Sequence, residues 1–159
     1  MPWFDTFDAI VPQRFPGMEI GKEEPMDRHT TFRVGGPARR FVRPGSEEAC
    51  GALLELAEAQ AWPVLVVGNG SNLLVSDEGL DRLVIHTGGL DSLERTGERT
   101  IRAGAGVSLA RLASFAQKEG LGGLEFAHGI PGSLGGAVFM NAGAYGGEMK
   151  QVLSSVAAW

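Results

Sequence analysis

The run Gly129-Ile130-Pro131-Gly132-Ser133-Leu134-Gly135-Gly136-Ala137-Val138-Phe139-Met140-Asn141-Ala142-Gly143-Ala144-Tyr145-Gly146 carries more glycine than a packed helix or strand tolerates. Glycine lets backbone approach another group closely and permits φ > 0, at an entropic cost. A stretch that bears that cost six times reads as a loop built to present N–H groups to a ligand. Pro131 suits the first turn of a short helix whose N-terminus would face an anion. Ser133 and Asn141 can hydrogen-bond a ring or a phosphate, and Tyr145 can stack or cap. Tight helix packing through small residues is the competing explanation. Ser133 is not read as a nucleophile elbow, because Pro131 stands where Gly-x-Ser-x-Gly has its first glycine.

A second loop, Gly68-Asn69-Gly70-Ser71-Asn72, follows the apolar run Val64-Leu65-Val66-Val67. That run suits a strand buried on both faces. Successive N–H groups in such a turn form a concave nest for phosphate oxygens, although a plain strand-to-strand turn fits the residues equally well. No Gly-Lys-Ser/Thr follows, which excludes a Walker A loop. Leu73 stands where a Rossmann fingerprint has its third glycine, and no helix pattern follows.

The 24 glycines among 159 residues are about twice the usual share of roughly 7%. They follow no collagen period, so ligand loops explain them better than disorder. The net charge of −5 argues against general nucleic-acid or membrane-surface binding. The single cysteine, Cys50, allows no internal disulfide, fits a reducing cytoplasm, and reads as a small buried hydrophobe. Met1 to Arg14 lacks the pattern of a signal peptide, and no apolar run approaches the ~20 residues that span a bilayer.

Along the chain, residues 1–26 read as a proline-containing extension that packs loosely. Thr31 to Val42 reads as two strands around Gly35-Gly36-Pro37. Ser46 caps a helix to about Gln60, with Ala49, Leu53, Leu56 and Ala57 at helical spacing. Leu83-Val84-Ile85 and Thr100-Ile101-Arg102-Ala103 read as strands. Ser108 caps a second helix ending near Gly120. Val152 to Trp159 reads as a further strand. The order predicts an α+β fold rather than a regular doubly wound sheet. Arginines 28, 33, 39, 40 and 43 have only Asp27 as a near acid and read as a solvated basic edge, one or two of which can neutralise a pyrophosphate. His29, His86 and His128 are scattered, which argues against a metal site. Two phosphate-type loops with no catalytic acid or base imply cofactor binding more than complete chemistry.

Three segments, His29 to Ala38, Val67 to Val75 and Gly129 to Gly146, resemble the UDP-N-acetylenolpyruvoylglucosamine reductase (UDP-N-acetylmuramate dehydrogenase, MurB) family in order and spacing. The resemblance covers about residues 27–159. It implies a PCMH/VAO-type FAD-binding fold in two small subdomains, at 27–87 and 88–159, the second incomplete, with a separate substrate domain absent. It implies FAD as cofactor and NADPH as electron donor for reduction of UDP-N-acetylglucosamine enolpyruvate in cytoplasmic peptidoglycan synthesis. Its matching positions imply that Gly68, Asn69, Gly70, Ser71, Asn72 and Leu73 cradle the FAD pyrophosphate. They imply that Gly129, Ile130, Pro131, Gly132, Ser133, Gly135, Gly136, Asn141, Gly143, Ala144, Tyr145 and Gly146 line the rest of the dinucleotide. His128 departs from the small residue more usual in the family. The family's proton donor, catalytic glutamate and catalytic arginine match no position here, so no catalytic residue is expected and the chain alone is expected to be inactive. The alternative expectation is a stand-alone, non-catalytic FAD or nucleotide-binding module.

Overall fold

Ser46 starts the helix that the sequence marks most clearly. Its hydroxyl accepts the Ala49 N–H at 3.2 Å, and Glu47 and Glu48 occupy the first turn, where carboxylates favour the helix dipole. The structure is a computed structural model and describes residues 2–159. It divides into two compact units, Met1–Gly89 and Leu90–Trp159.

The first unit runs α1 (Trp3–Arg14), β1 (Glu19–Pro25), β2 (Pro37–Arg43), α2 (Glu47–Ala59), β3 (Val64–Val67) and β4 (Leu80–His86). Its strands form one sheet in the order β1-β2-β4-β3. β1 runs antiparallel to β2, with Ile20 opposite Val42. β2 and β3 both run parallel to β4, and Phe41 and Leu65 flank Val84. Parallel strands need a crossover between them, and α2 supplies it. Met26, Ala38, Phe41, Val67, Val75 and Val84 form one buried cluster.

Several expectations are corrected here. The expected loose arm over residues 1–26 instead holds, among its described residues, α1 and the edge strand β1. Phe7 and Val11, four apart on α1, are fully buried, and the Trp62 indole donates to Thr6 Oγ1 at 3.0 Å. Thr31 to Val42 holds one strand, not two, because the antiparallel partner of β2 lies upstream in β1. β3 is an edge strand rather than one buried on both faces, and Val66 is 51% exposed. Arginines 39, 40 and 43 do not form a solvated edge. They pair with Glu23 and Asp81, with Asp8, and with Glu19, acids brought near by folding.

The second unit pairs β5 (Leu93–Gly97) with β6 (Thr100–Ala103), antiparallel. Ser108 accepts the Arg111 N–H and caps α3 (Leu109–Lys118). A six-residue α4 (Leu134–Phe139) and a small hairpin of β7 (Gly143–Ala144) and β8 (Gly147–Glu148) follow. Val107, Leu109, Leu112, Phe126, Ala127, Ala137 and Met149 make its core. Pro131 lies ahead of α4 rather than in its first turn, and Ser133 holds the N-cap position. Val152 to Trp159 is not a strand. After a 3₁₀ turn at Met149–Gln151 the chain has no regular structure and no ladder partner among the described residues.

Candidate cofactor site

The end of β3 delivers the chain into Gly68–Asn72. Among the described residues, no intramolecular hydrogen bond is donated by the N–H of Asn69, Gly70, Ser71 or Asn72. Four consecutive free donors form the concavity that an anion fills. Asn69 and Asn72 are exposed and Ser71 is half-buried. Leu73 turns inward and packs on the first unit's core.

A second segment fixes this loop. Thr31 N–H donates to the Gly70 carbonyl at 3.2 Å, and Gly36 N–H donates to the Ser76 carbonyl at 2.8 Å. Gly70 has φ +60°, and a Cβ there would run into the His29 carbonyl oxygen. Thr30 is buried, and its hydroxyl donates to the Val34 carbonyl at 3.0 Å. Segments 29–36 and 68–76, far apart in sequence, thus make one clasp. This joint role of Thr30 and Thr31 was missed from the sequence.

Folding brings together two histidines that are far apart in sequence. The His29 ring stacks on Phe41 at 4.3 Å and lies 5.6 Å from His86, and His29 Nε2 is 2.9 Å from Glu24 Oε1. The His86 Nδ1 accepts the Gly88 N–H at 3.1 Å, which places the ring proton on Nε2 in the neutral form. Burial first, then the Arg43 and His29 charges, push His86 down to about 4. Its unfolded value is about 6.5, so this group's contribution is complete above that pH and is lost as pH falls toward 4. Urea midpoints should therefore drop between about pH 6.5 and pH 4. His86→Gln should flatten that part of the profile, and an unchanged slope would contradict the assignment. His128 is exposed and belongs to neither histidine contact.

In the second unit the glycine run divides by role. Leu134 and Gly135 donate their N–H groups to Val107 and Ala105. A Cβ on Gly135 would press on Ala105, and one on Gly143 would press on Gly147, so the packing explanation holds for these two. At Gly129 and Gly146 a Cβ would meet only open space. Gly136 is exposed, and a Cβ there would have only Ser133 Oγ nearby at 3.7 Å. Ser133 is 2% exposed, and its Oγ has no hydrogen-bond partner. Such a buried orphan calls for an explanation. Asn141 is engaged within the chain: Nδ2 donates to Glu148 at 2.7 Å, and Oδ1 accepts the Lys150 N–H at 2.9 Å. Tyr145 is 97% exposed at φ +53°. Pro131 is exposed, Gly132 and Ala144 are half-buried, and Ile130 packs on the core.

Within the first unit, four consecutive free N–H groups suit the phosphate oxygens of an anion. The described helices include none long and apolar enough to cross a membrane.

Comparison with known proteins identifies the family. The family model described as "FAD binding domain" matches residues 38–159. UDP-N-acetylenolpyruvoylglucosamine reductase of Agathobacter rectalis is 49% identical over 160 residues, covering 93% of this chain and 51% of that protein. The Bacillus subtilis enzyme of the same name is 48% identical over 147 residues, covering 90% and 48%. The chain thus spans about half the length of the curated relatives it matches. The crystal structure of the Thermus caldophilus reductase (MurB) superposes with TM-score 0.65 at 39% identity, over 82% of this chain and 44% of that one. Cholesterol oxidase from Brevibacterium sterolicum superposes with TM-score 0.60 at 17% identity, over 83% and 26%, a likeness of fold alone. The α+β, PCMH-type fold is therefore as expected. The chain belongs to the FAD binding domain family, with FAD as its cofactor, and within that family it is similar to the N-terminal, FAD-binding half of UDP-N-acetylenolpyruvoylglucosamine reductases.

Proposed function

We propose that this chain is the FAD-holding part of a cytoplasmic reductase that converts UDP-N-acetylglucosamine enolpyruvate to UDP-N-acetylmuramate at the expense of NADPH. The observation that carries the reading is the clasped Gly68–Asn72 loop with its four free N–H donors, on a chain 49% identical to a reductase of that name. When bound, FAD supplies two-electron carriage between NADPH and the enolpyruvyl double bond. The residues of this chain bind and orient. Asn69 to Asn72 offer N–H donors to the pyrophosphate, and Leu73 anchors the loop to the core. Ser133 offers its hydroxyl, and the open backbone at Gly129, Gly136 and Gly146 allows close approach. Residues 27–87 and 88–159 act as the two FAD-binding subdomains. Their roles are binding and orientation, so the 159 residues alone should show no turnover.

Two outcomes check this. Supplied with FAD, NADPH and the enolpyruvyl sugar nucleotide, the chain alone should consume no NADPH in response to the sugar. A chimera joining it to the remaining half of the Bacillus subtilis relative should do so. Turnover by the chain alone would contradict the assignment of roles, and a folded, FAD-loaded but inert chimera would contradict the reaction. Ser133→Ala should be neutral or slightly stabilising without ligand, because it removes a buried unpaired hydroxyl. The same change should weaken FAD binding several-fold. Thermal melts with and without FAD check both signs.

A further inference from the structure

Folding neutralises most of the arginine cluster and leaves two exceptions. Arg39, Arg40 and Arg43 are paired with carboxylates. Among the described residues, Arg28 and Arg33 have no ion-pair partner and no side-chain hydrogen-bond partner, and both are exposed. Arg33 differs from Arg28 in how it is held. It has φ +55°, a left-handed conformation that strains a residue with a Cβ. Its turn is closed by its own N–H donating to Thr30 and by the Thr30 hydroxyl donating to Val34. Thr31, two residues before it, donates to the Gly70 carbonyl at 3.2 Å. The backbone carrying this exposed arginine is thus held, at a conformational cost, on the turn bonded to the loop with four free N–H groups. Strain of this kind persists where the surrounding structure over-determines it, and it gathers at ligand clamps.

We propose that Arg33 is a binding residue for the diphosphate of the dinucleotide held at Gly68–Asn72. The inference rests on the FAD-binding reading above and adds a residue that the glycine motifs do not contain. A guanidinium supplies a charge-assisted, planar donor set to phosphate oxygens. The backbone N–H groups alone supply only dipoles, and the chain as a whole is acidic at −5. One placed cation offsets that field where the anion docks.

The test is calorimetric titration of the 159-residue chain with FAD and with ADP, for wild type, Arg33→Ala, Arg33→Gly and Arg28→Ala. Losing a charged hydrogen bond should weaken both ligands about tenfold in the Arg33 variants. The deficit should shrink at high salt, where the lost attraction is screened. Arg28→Ala should change affinity less than twofold. Arg33→Gly carries a second signature: relief of the left-handed strain should raise the melting temperature while FAD affinity falls. Unchanged affinity in Arg33→Ala and Arg33→Gly would overturn the proposal, as would an equal loss in Arg28→Ala, which would mean a diffuse field rather than a contact. If folded wild-type chain binds neither FAD nor ADP, the cofactor reading itself fails and this inference falls with it.

Discussion

Gly70→Ala should destabilise the first unit by about 3 kcal/mol or more and abolish measurable FAD binding. Two costs add. The residue sits at φ +60°, where a side chain is strained. The new Cβ would also lie far inside contact distance of the His29 carbonyl oxygen. That obstacle is backbone, tied by the adjoining Thr31 N–H bond to Gly70 itself, so it cannot swing aside as a flexible side chain would. Relief requires the clasp to open, which disorders the free N–H groups at Asn69 to Asn72. Urea denaturation followed by FAD titration separates the two effects. A variant of wild-type stability with wild-type FAD affinity would show that the clasp does not shape the loop.

The second large effect is expected at Asp8. The Arg40 side chain is 8% exposed and donates to both Asp8 oxygens, Nε to Oδ1 and Nη2 to Oδ2, each at 2.7 Å. Lys22 adds an exposed third contact at 2.7 Å. Removing one partner of a buried pair leaves the other charge uncompensated, at about 3–5 kcal/mol. Asp8 is itself partly exposed, so Asp8→Ala should fall near the lower end, about 3 kcal/mol. Typical domain stability is about 5–15 kcal/mol, so this loss takes a large share. Asp8→Ala combined with Arg40→Met should recover part of it, because the stranded charge goes too. A fully additive double mutant would argue that the pair is not coupled. The Arg40 hydrogen bond, opposed by partial burial and helped by Lys22, holds the Asp8 carboxyl below its usual range. Its contribution is therefore complete above the unfolded value of about 3.9 and is lost as pH falls through the lower folded value. That window lies below the one assigned to His86, so the two acid responses are separable.

Local signals in the sequence identified what local forces build. Ser46 and Ser108 cap the helices as expected because capping needs only three or four residues. The α+β fold and the two glycine loops follow from similarly local patterns. Long-range pairing was hidden. α1 was obscured because Pro12 lies inside it and only Phe7 and Val11 are buried, too few for a clear stripe. The apparent basic edge arose because Asp8, Glu19, Glu23 and Asp81 lie far from the arginines in sequence. The clasp between segments 29–36 and 68–76 is equally non-local. In the glycine run, Gly135 and Gly143 look like Gly129 and Gly146 on paper. Only the neighbours' positions separate glycines needed for packing from those that leave backbone open. Asn141 reads as a ligand donor by type, yet its side chain is used by Glu148 and Lys150.

The proposal for Gly68–Asn72 rests on FAD binding by this chain. Titration of FAD into the purified, folded 159-residue chain, followed by calorimetry and flavin fluorescence, tests it most directly. One FAD should bind per chain, saturably, competed by ADP and lost in Gly70→Ala. A folded chain that neither quenches FAD nor releases heat with it at millimolar ligand would overturn this assignment.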